Sequence, residues 1–185
     1  MARALRADAV RNRDKLLAAA ASEFAARGLD APLEHIAKRA GVSIGTLYNH
    51  FPTRDDLLDA LLPERLGPAM AEIAAQALAE DDPWRGFETY LAGLLGLQAR
   101  DRALNDAISQ RIPLSPEVHA VCGQGFEQAL LIIGRARDAG CLRPDFEPAD
   151  LLSLTWAMAA VIQRNPQGWR RFLDLYLNGV RVGRR

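Results

Sequence analysis

The chain has 185 residues, a formal net charge of zero, and 49% hydrophobic against 25% charged residues; this is an ordinary globular balance around a sizeable core, and it excludes both a disordered chain and a polycation that coats nucleic acid by bulk charge. Two cysteines, Cys122 and Cys141, with no CxxC and no nearby histidine pair, exclude a disulfide framework and a four-ligand zinc site, so no metal or other cofactor is expected. No run reaches the roughly 18 apolar residues of a membrane span, Leu151 to Ile162 being interrupted by Ser153 and Thr155, and the start Met1 to Arg6 lacks a signal-peptide core; the expectation is a soluble cytoplasmic protein without a membrane partner.

Helical period runs through nearly every segment, and Val, Ile and Thr do not cluster between turn signals, so the fold class is all-α with about nine helices. The first covers about residues 9–26, with Leu16, Leu17, Ala20 and Phe24 in one stripe, and Gly28 stops it. Pro32 suits the first turn of a second helix that ends at Ala40-Gly41. Ser43 caps a third helix, and Phe51-Pro52 closes it. Thr53 with Asp56 resembles a capping box for the fourth helix, which Pro63 and Pro68 are expected to break or kink. Asp82-Pro83, Ser115-Pro116 and Glu147-Pro148 open further helices, and a short one lies near residues 103–110. Asn165-Pro166 opens the last, where Trp169, Phe172, Leu173, Tyr176, Leu177 and Val180 make the cleanest helical stripe.

The zero net charge hides an asymmetry. Residues 1–54 carry nine basic groups (Arg3, Arg6, Arg11, Arg13, Lys15, Arg27, Lys38, Arg39, Arg54) against five acidic ones (Asp8, Asp14, Glu23, Asp30, Glu34). A basic head on an acidic body prompts nucleic-acid contact at one end, although a surface charge fluctuation reads the same way. Within that head, residues 33–50 spell helix, glycine turn, helix. Ile36 and Ala37 face inward, Gly41 supplies positive φ, and Val42 and Leu47 fill the angle between the helices. The second helix then shows Ser43, Ile44, Thr46, Tyr48, Asn49 and His50 on a mixed polar surface, a shape that fits the major groove of B-form DNA. Thr46 suits a base edge; Tyr48, His50, Lys38 and Thr53 suit phosphates. Taken by itself, the same stretch also reads as a tight helical corner.

Phe24 to Gly28, Ile36-Ala37, Ala40-Gly41-Val42-Ser43, Gly45-Thr46-Leu47-Tyr48, His50-Phe51 and Thr53-Arg54-Asp55 resemble the N-terminal domain of the tetracycline-repressor (TetR) family over about residues 11–60. The resemblance implies a homodimer with a three-helix DNA-binding head (residues 1–55) and a helical ligand-binding and dimerisation body (residues 56–185), linked by the fourth helix. It implies operator DNA as partner, contacted by Lys38, Ser43, Ile44, Gly45, Thr46, Tyr48, Asn49, His50, Thr53 and Arg54. Pro32 and Leu33 stand where the family often has threonines, so phosphate contact there falls to backbone N–H groups. Arg3, Arg6, Arg11 and Arg13 form a basic arm suited to phosphates or a narrow groove.

The body shows no constellation of nucleophile, base and oxyanion donors, so an enzyme is not expected. Phe87, Tyr90, Leu94, Phe126 and Trp156, with Trp84 and Met158, are candidates to line an apolar pocket for an unidentified small-molecule effector; Tyr90, Asn105 and Gln163 are candidate orienting groups. Aromatic residues at helical spacing equally fit plain core. Leu151 to Ile162 is apolar nearly all round and needs burial on more than one side, so Leu154, Ile162, Trp169, Phe172, Leu173 and Tyr176 are expected at a two-fold interface. The function expected is a repressor released from a near-palindromic operator by a small apolar ligand. A DNA-binding regulator without a ligand, an activator, and a helical small-molecule carrier are the alternatives.

Overall fold

The computed structural model describes residues 2–110 and 116–183. Ser115, expected to cap a helix, lies outside the described residues, as do the side chains of Arg3, Arg6, His119 and Cys122. Among the described residues nine helices follow in order: α1 (Ala2–Arg27), α2 (Leu33–Ala40), α3 (Ile44–His50), α4 (Arg54–Leu78), α5 (Pro83–Arg100), α6 (Arg102–Gln110), α7 (Pro116–Asp138), α8 (Pro148–Arg164) and α9 (Trp169–Val180).

Local chemistry explains most boundaries. Gly41 sits at φ +70°, in the left-handed region that closes α2, and its N–H bonds the Lys38 carbonyl at 3.2 Å. A Cβ there would meet nothing within 4 Å, so backbone angle alone requires the glycine. Thr53 and Asp56 form a reciprocal capping box at the start of α4. Asp82 accepts from the N–H groups of Trp84 and Arg85 ahead of Pro83, and Glu147 with Asp150 boxes the start of α8.

Four boundaries depart from the local signals. The expected basic arm is instead the first turns of α1, which begins at Ala2; Arg11 pairs with Asp8, and the Arg13 guanidinium lies 5.6 Å above the Phe51 ring. Pro32 stands one residue ahead of α2 as its N-cap. Pro63 and Pro68 do not interrupt α4, which continues for 25 residues. The helix is anchored on both sides of them through its own buried Leu57, Leu58, Leu61, Leu62 and Leu66 and, further on, Ala74 and Ala77. Asn165 closes α8 rather than opening α9; its carbonyl accepts from Gly168 N–H at 2.9 Å, and α9 starts at Trp169.

Two apolar cores result. The head core gathers Leu16, Phe24, Ile36, Leu47 and Leu57 from α1 to α4, reaches Leu66, and includes Ala103 of α6. The body core is built on Phe87, whose ring meets Trp84 at 5.7 Å and Phe146 edge-on at 5.6 Å, with Tyr90, Leu91, Ile132, Ile133 and Met158 around it. A Cβ on Gly86 would sit 2.7 Å from the Ala77 carbonyl oxygen, so glycine permits the α4–α5 approach.

The expected two-fold stripe belongs mainly to this core. Leu154, Ile162, Trp169 and Leu173 are buried within the protomer, and Tyr176 packs partly buried against them. Only Phe172 of that set faces outward, joined by Leu152, Trp156 and Leu175. The periodicity located an apolar stripe, but the protomer's own α5 and α6 cover most of it. No described helix is long and apolar enough to cross a membrane.

Candidate nucleic-acid interface

The turn at Gly41 sets α3 across the end of α2. Ser43 caps α3 by accepting from Thr46 N–H at 3.1 Å, and the Ser43 and Thr46 hydroxyls share a 2.9 Å bond. Leu47 is fully buried and seats α3 on the head core. The opposite side carries Ile44, Gly45, Tyr48 and Asn49, all exposed, with Tyr48 at 46%. His50 is half-buried with its ring 6.3 Å from that of Phe51, and Lys38 is exposed at the end of α2. These side chains lie on one helix of seven residues and its approach, an outward surface that can enter a groove.

Four expected contacts are engaged within the fold, Ser43 through its cap bonds to Thr46 among them. The Thr46 hydroxyl is tied to Ser43, so its methyl is the part left to a partner. Thr53 donates both N–H (2.9 Å) and hydroxyl (2.7 Å) to the Asp56 carboxylate and accepts from Asp56 N–H, which completes its cap rather than leaving it for phosphate. Arg54 turns inward: its guanidinium donates to the carbonyls of Leu29 and Ala31 and lies 5.9 Å over the Phe24 ring. It holds the α1–α2 turn in place. A spacing pattern could not reveal this, because the two carbonyls come from residues more than twenty positions earlier.

Glu23 is buried in the head and takes the Arg39 guanidinium at 2.7 Å and that of Arg27 at 3.0 Å, which ties α1 to α2. Both arginines are half-exposed on their outer side.

The joint between head and body is α6, and sequence reasoning missed most of it. Asp106 accepts from Leu29 N–H in the head at 3.3 Å. Asp101 caps α6 through Leu104 N–H and pairs with Arg65 of α4 at 2.9 Å. Asn105, expected to orient a ligand, instead donates to the Ala159 carbonyl of α8 at 3.3 Å and accepts from Gln98 of α5 at 3.1 Å. Gln98 also donates to the Thr155 carbonyl of α8 at 3.1 Å. Buried amides with partners hold a single arrangement, because leaving them unpaired costs about 1–3 kcal/mol each. A polar residue in an apolar helical stripe, as at Asn105 and Gln98, was the only available signal.

A cleft of ≈ 430 Å³ opens between α4 and α7, lined by Met70, Ala71, Ala74 and Leu78 on one side and Gln124, Gly125, Glu127 and Gln128 on the other. None of Phe87, Tyr90, Leu94, Phe126 and Trp156 lines it. Phe87 and Tyr90 are buried in close-packed core, Leu94 packs partly buried beside them, Phe126 is half-buried and Trp156 is 45% exposed. Tyr90 lies behind the cleft wall, its hydroxyl donating to the Gly125 carbonyl at 3.5 Å, and burial pushes its pKa up to about 12. Gln163, the remaining orienting candidate, is exposed on α8.

Residues 16–61 match the model of bacterial regulatory proteins of the tetR family, and residues 82–182 match the C-terminal domain of SbtR-like transcriptional regulators. A TetR transcription regulatory protein from Mycobacterium vanbaalenii is 30% identical, with 96% of this chain and 99% of that one covered and a TM-score of 0.57. A TetR transcriptional regulator from Streptomyces coelicolor is 29% identical over 93% of this chain and 99% of that one, with a TM-score of 0.60. The HTH-type transcriptional regulator TtgW of Pseudomonas putida is 41% identical over 69 residues, 37% of this chain and 52% of TtgW, so the match spans about half the length of that curated relative.

Proposed function

This chain belongs to the tetR family of bacterial regulatory proteins, and from that premise we propose that it is a homodimeric repressor whose paired heads grip a near-palindromic operator until a small apolar ligand loosens them. The observation that carries the DNA-binding half is the two-sidedness of α3: Leu47 is wholly buried while Gly45, Tyr48 and Asn49 face outward. Lys38 stands beside them for phosphate. One head offers few contacts, and two reading half-sites about 34–36 Å apart gain the affinity a single head lacks.

The support for pairing is the outer face of α8 and α9. Leu152 and Trp156 stand four residues apart, Phe172 and Leu175 three apart, and all four are at least 39% exposed. Exposed large apolar side chains on two consecutive helices are the kind of surface that a second protein chain covers. Support for ligand release is the placement of the α4–α7 cleft. α4 begins in the head core and ends as a cleft wall, so a ligand wedged against Met70 and Ala74 displaces the helix that carries the head. Shifting such an equilibrium from 99:1 to 1:99 takes about 5.5 kcal/mol of differential affinity, and bound DNA weakens the ligand reciprocally.

The test is retardation of DNA flanking the chain's own gene. Specific binding is expected with affinity falling about 10³–10⁵-fold between 50 and 200 mM salt, if on the order of 6–10 phosphates are neutralised. Trp156→Glu with Leu175→Glu is expected to give monomers that no longer shift the fragment. Full operator binding by a proven monomer overturns the pairing; a native chain that shifts no fragment of its genome overturns the repressor.

A further inference from the structure

Gly45 has no structural reason to be glycine. It lies inside α3 and lacks the positive φ that Gly28, Gly41 and Gly140 adopt. A Cβ built on it would meet only Ser43 Oγ, at 3.8 Å, an ordinary contact. Glycine within a helix costs up to about 1 kcal/mol relative to alanine, so the fold would be better served by a methyl. On the helical wheel Gly45 falls at the centre of the outward face, flanked by Tyr48 and Ile44 on one side and Asn49 on the other, directly away from buried Leu47. The missing side chain therefore serves whatever approaches from outside.

The rest of that face says what it reads. α3 contains no arginine or lysine, the residues that read guanine O6 and N7 best. The nearby arginines are occupied: Arg54 holds the Leu29 and Ala31 carbonyls, and Arg39 holds Glu23. The Ser43 and Thr46 hydroxyls are bonded to each other. Besides Tyr48, 46% exposed and suited to phosphate, that face offers one amide, Asn49, whose paired acceptor and donor match adenine N6 and N7, and one branched hydrocarbon, Ile44, at 37% exposure, which suits a thymine methyl.

We propose that α3 reads A·T base pairs, Asn49 bonding an adenine and Ile44 covering a thymine methyl, with Gly45 letting the helix approach the groove floor. This rests on the DNA-binding reading above. Full-length protein selects its half-site from a random-sequence duplex library, and the selected duplex is then titrated with single deoxyuridine-for-thymine replacements against native, Asn49→Ala, Ile44→Ala and Gly45→Ala chains. Expected are invariant A·T pairs opposite α3. Asn49→Ala should lose about 5- to 150-fold on the selected site and lose its preference at one adenine. One deoxyuridine should weaken the native chain about fourfold, the worth of one methyl, and leave Ile44→Ala unchanged. Gly45→Ala should bind less tightly while its melting temperature stays level or rises by about 2–4 °C. Invariant guanines without invariant A·T pairs, tolerance of every deoxyuridine, or native affinity in Asn49→Ala or Gly45→Ala overturn the inference while leaving a DNA-binding protein. A native chain that selects no sequence overturns the DNA-binding reading, and this inference with it.

Discussion

The head and the body are held together by different means. The head's α2 and α3 have eight and seven residues, too short to stand alone in water, where about 12–15 residues are marginal. Caps, clips and a left-handed glycine fix them: Ser43, Thr53 with Asp56, Arg54 on two carbonyls, and Glu23 between Arg27 and Arg39. The body relies on long helices around large buried side chains, Phe87, Tyr90, Phe146 and Trp169 among them. The difference shows on the surface. The head ties its structural polar groups to one another and to backbone and leaves Tyr48 and Asn49 outward, whereas the body leaves Leu152, Trp156, Phe172 and Leu175 apolar and exposed. That difference is what the proposed pairing with DNA at one end and with a second copy at the other would use.

The contrast is open to direct attack, because all three tryptophans, Trp84, Trp156 and Trp169, lie in the body and report on it alone. Phe87→Ala removes the centre of the body core and is expected to cost about 3–5 kcal/mol in denaturant unfolding followed by tryptophan fluorescence. DNA affinity of the folded fraction should hardly change; a parallel loss would mean the two cores form one cooperative unit. Asn105→Leu comes next, at about 1–3 kcal/mol, since the Ala159 carbonyl and the Gln98 amide lose a partner. Hydrogen exchange should quicken in α8 and at Leu29 N–H together. Faster exchange confined to α8 would show that α6 does not join the regions. Thr53→Ala should cost about 1 kcal/mol in the head, with Thr53→Ser restoring most of it, and weaken DNA binding modestly without shifting the tryptophan transition.

The smallest effect is alkaline and belongs to the body. Burial pushes Tyr90 up to about 12, and burial with the nearby Asp150 carboxylate does the same for Tyr176. In the unfolded chain both phenols ionise near 10.0. Between those values the unfolded state binds fewer protons than the folded one, so body stability declines as pH rises from about 10 toward 12 and ignores these groups below 10. Phenolate absorbance should rise together with loss of helical circular dichroism. Ionisation of both phenols near pH 10 in a fully helical protein would show that the body core admits water.

What the sequence by itself determined was everything decided within a few residues. The turn at Gly41, the caps at Ser43, Thr53 and Asp82, the order of helices and the outward placement of Tyr48 and Asn49 follow from backbone angles, short-range hydrogen bonds and helical period. Contacts between distant residues decided the rest. Periodicity marks the side of a helix that is apolar, not what covers it, so Leu154, Ile162, Trp169 and Leu173 have the pattern of an interface although α5 and α6 of the same protomer enclose much of that side. A proline signals a weakened turn, but packed leucines on α4 decide whether the turn breaks. Arg54 reads as a free cation until Leu29 and Ala31 bring it their carbonyls. The α6 joint was equally hidden, because a hydrogen bond between Asn105 and Ala159 spans 54 residues of chain and exists only once the helices are packed.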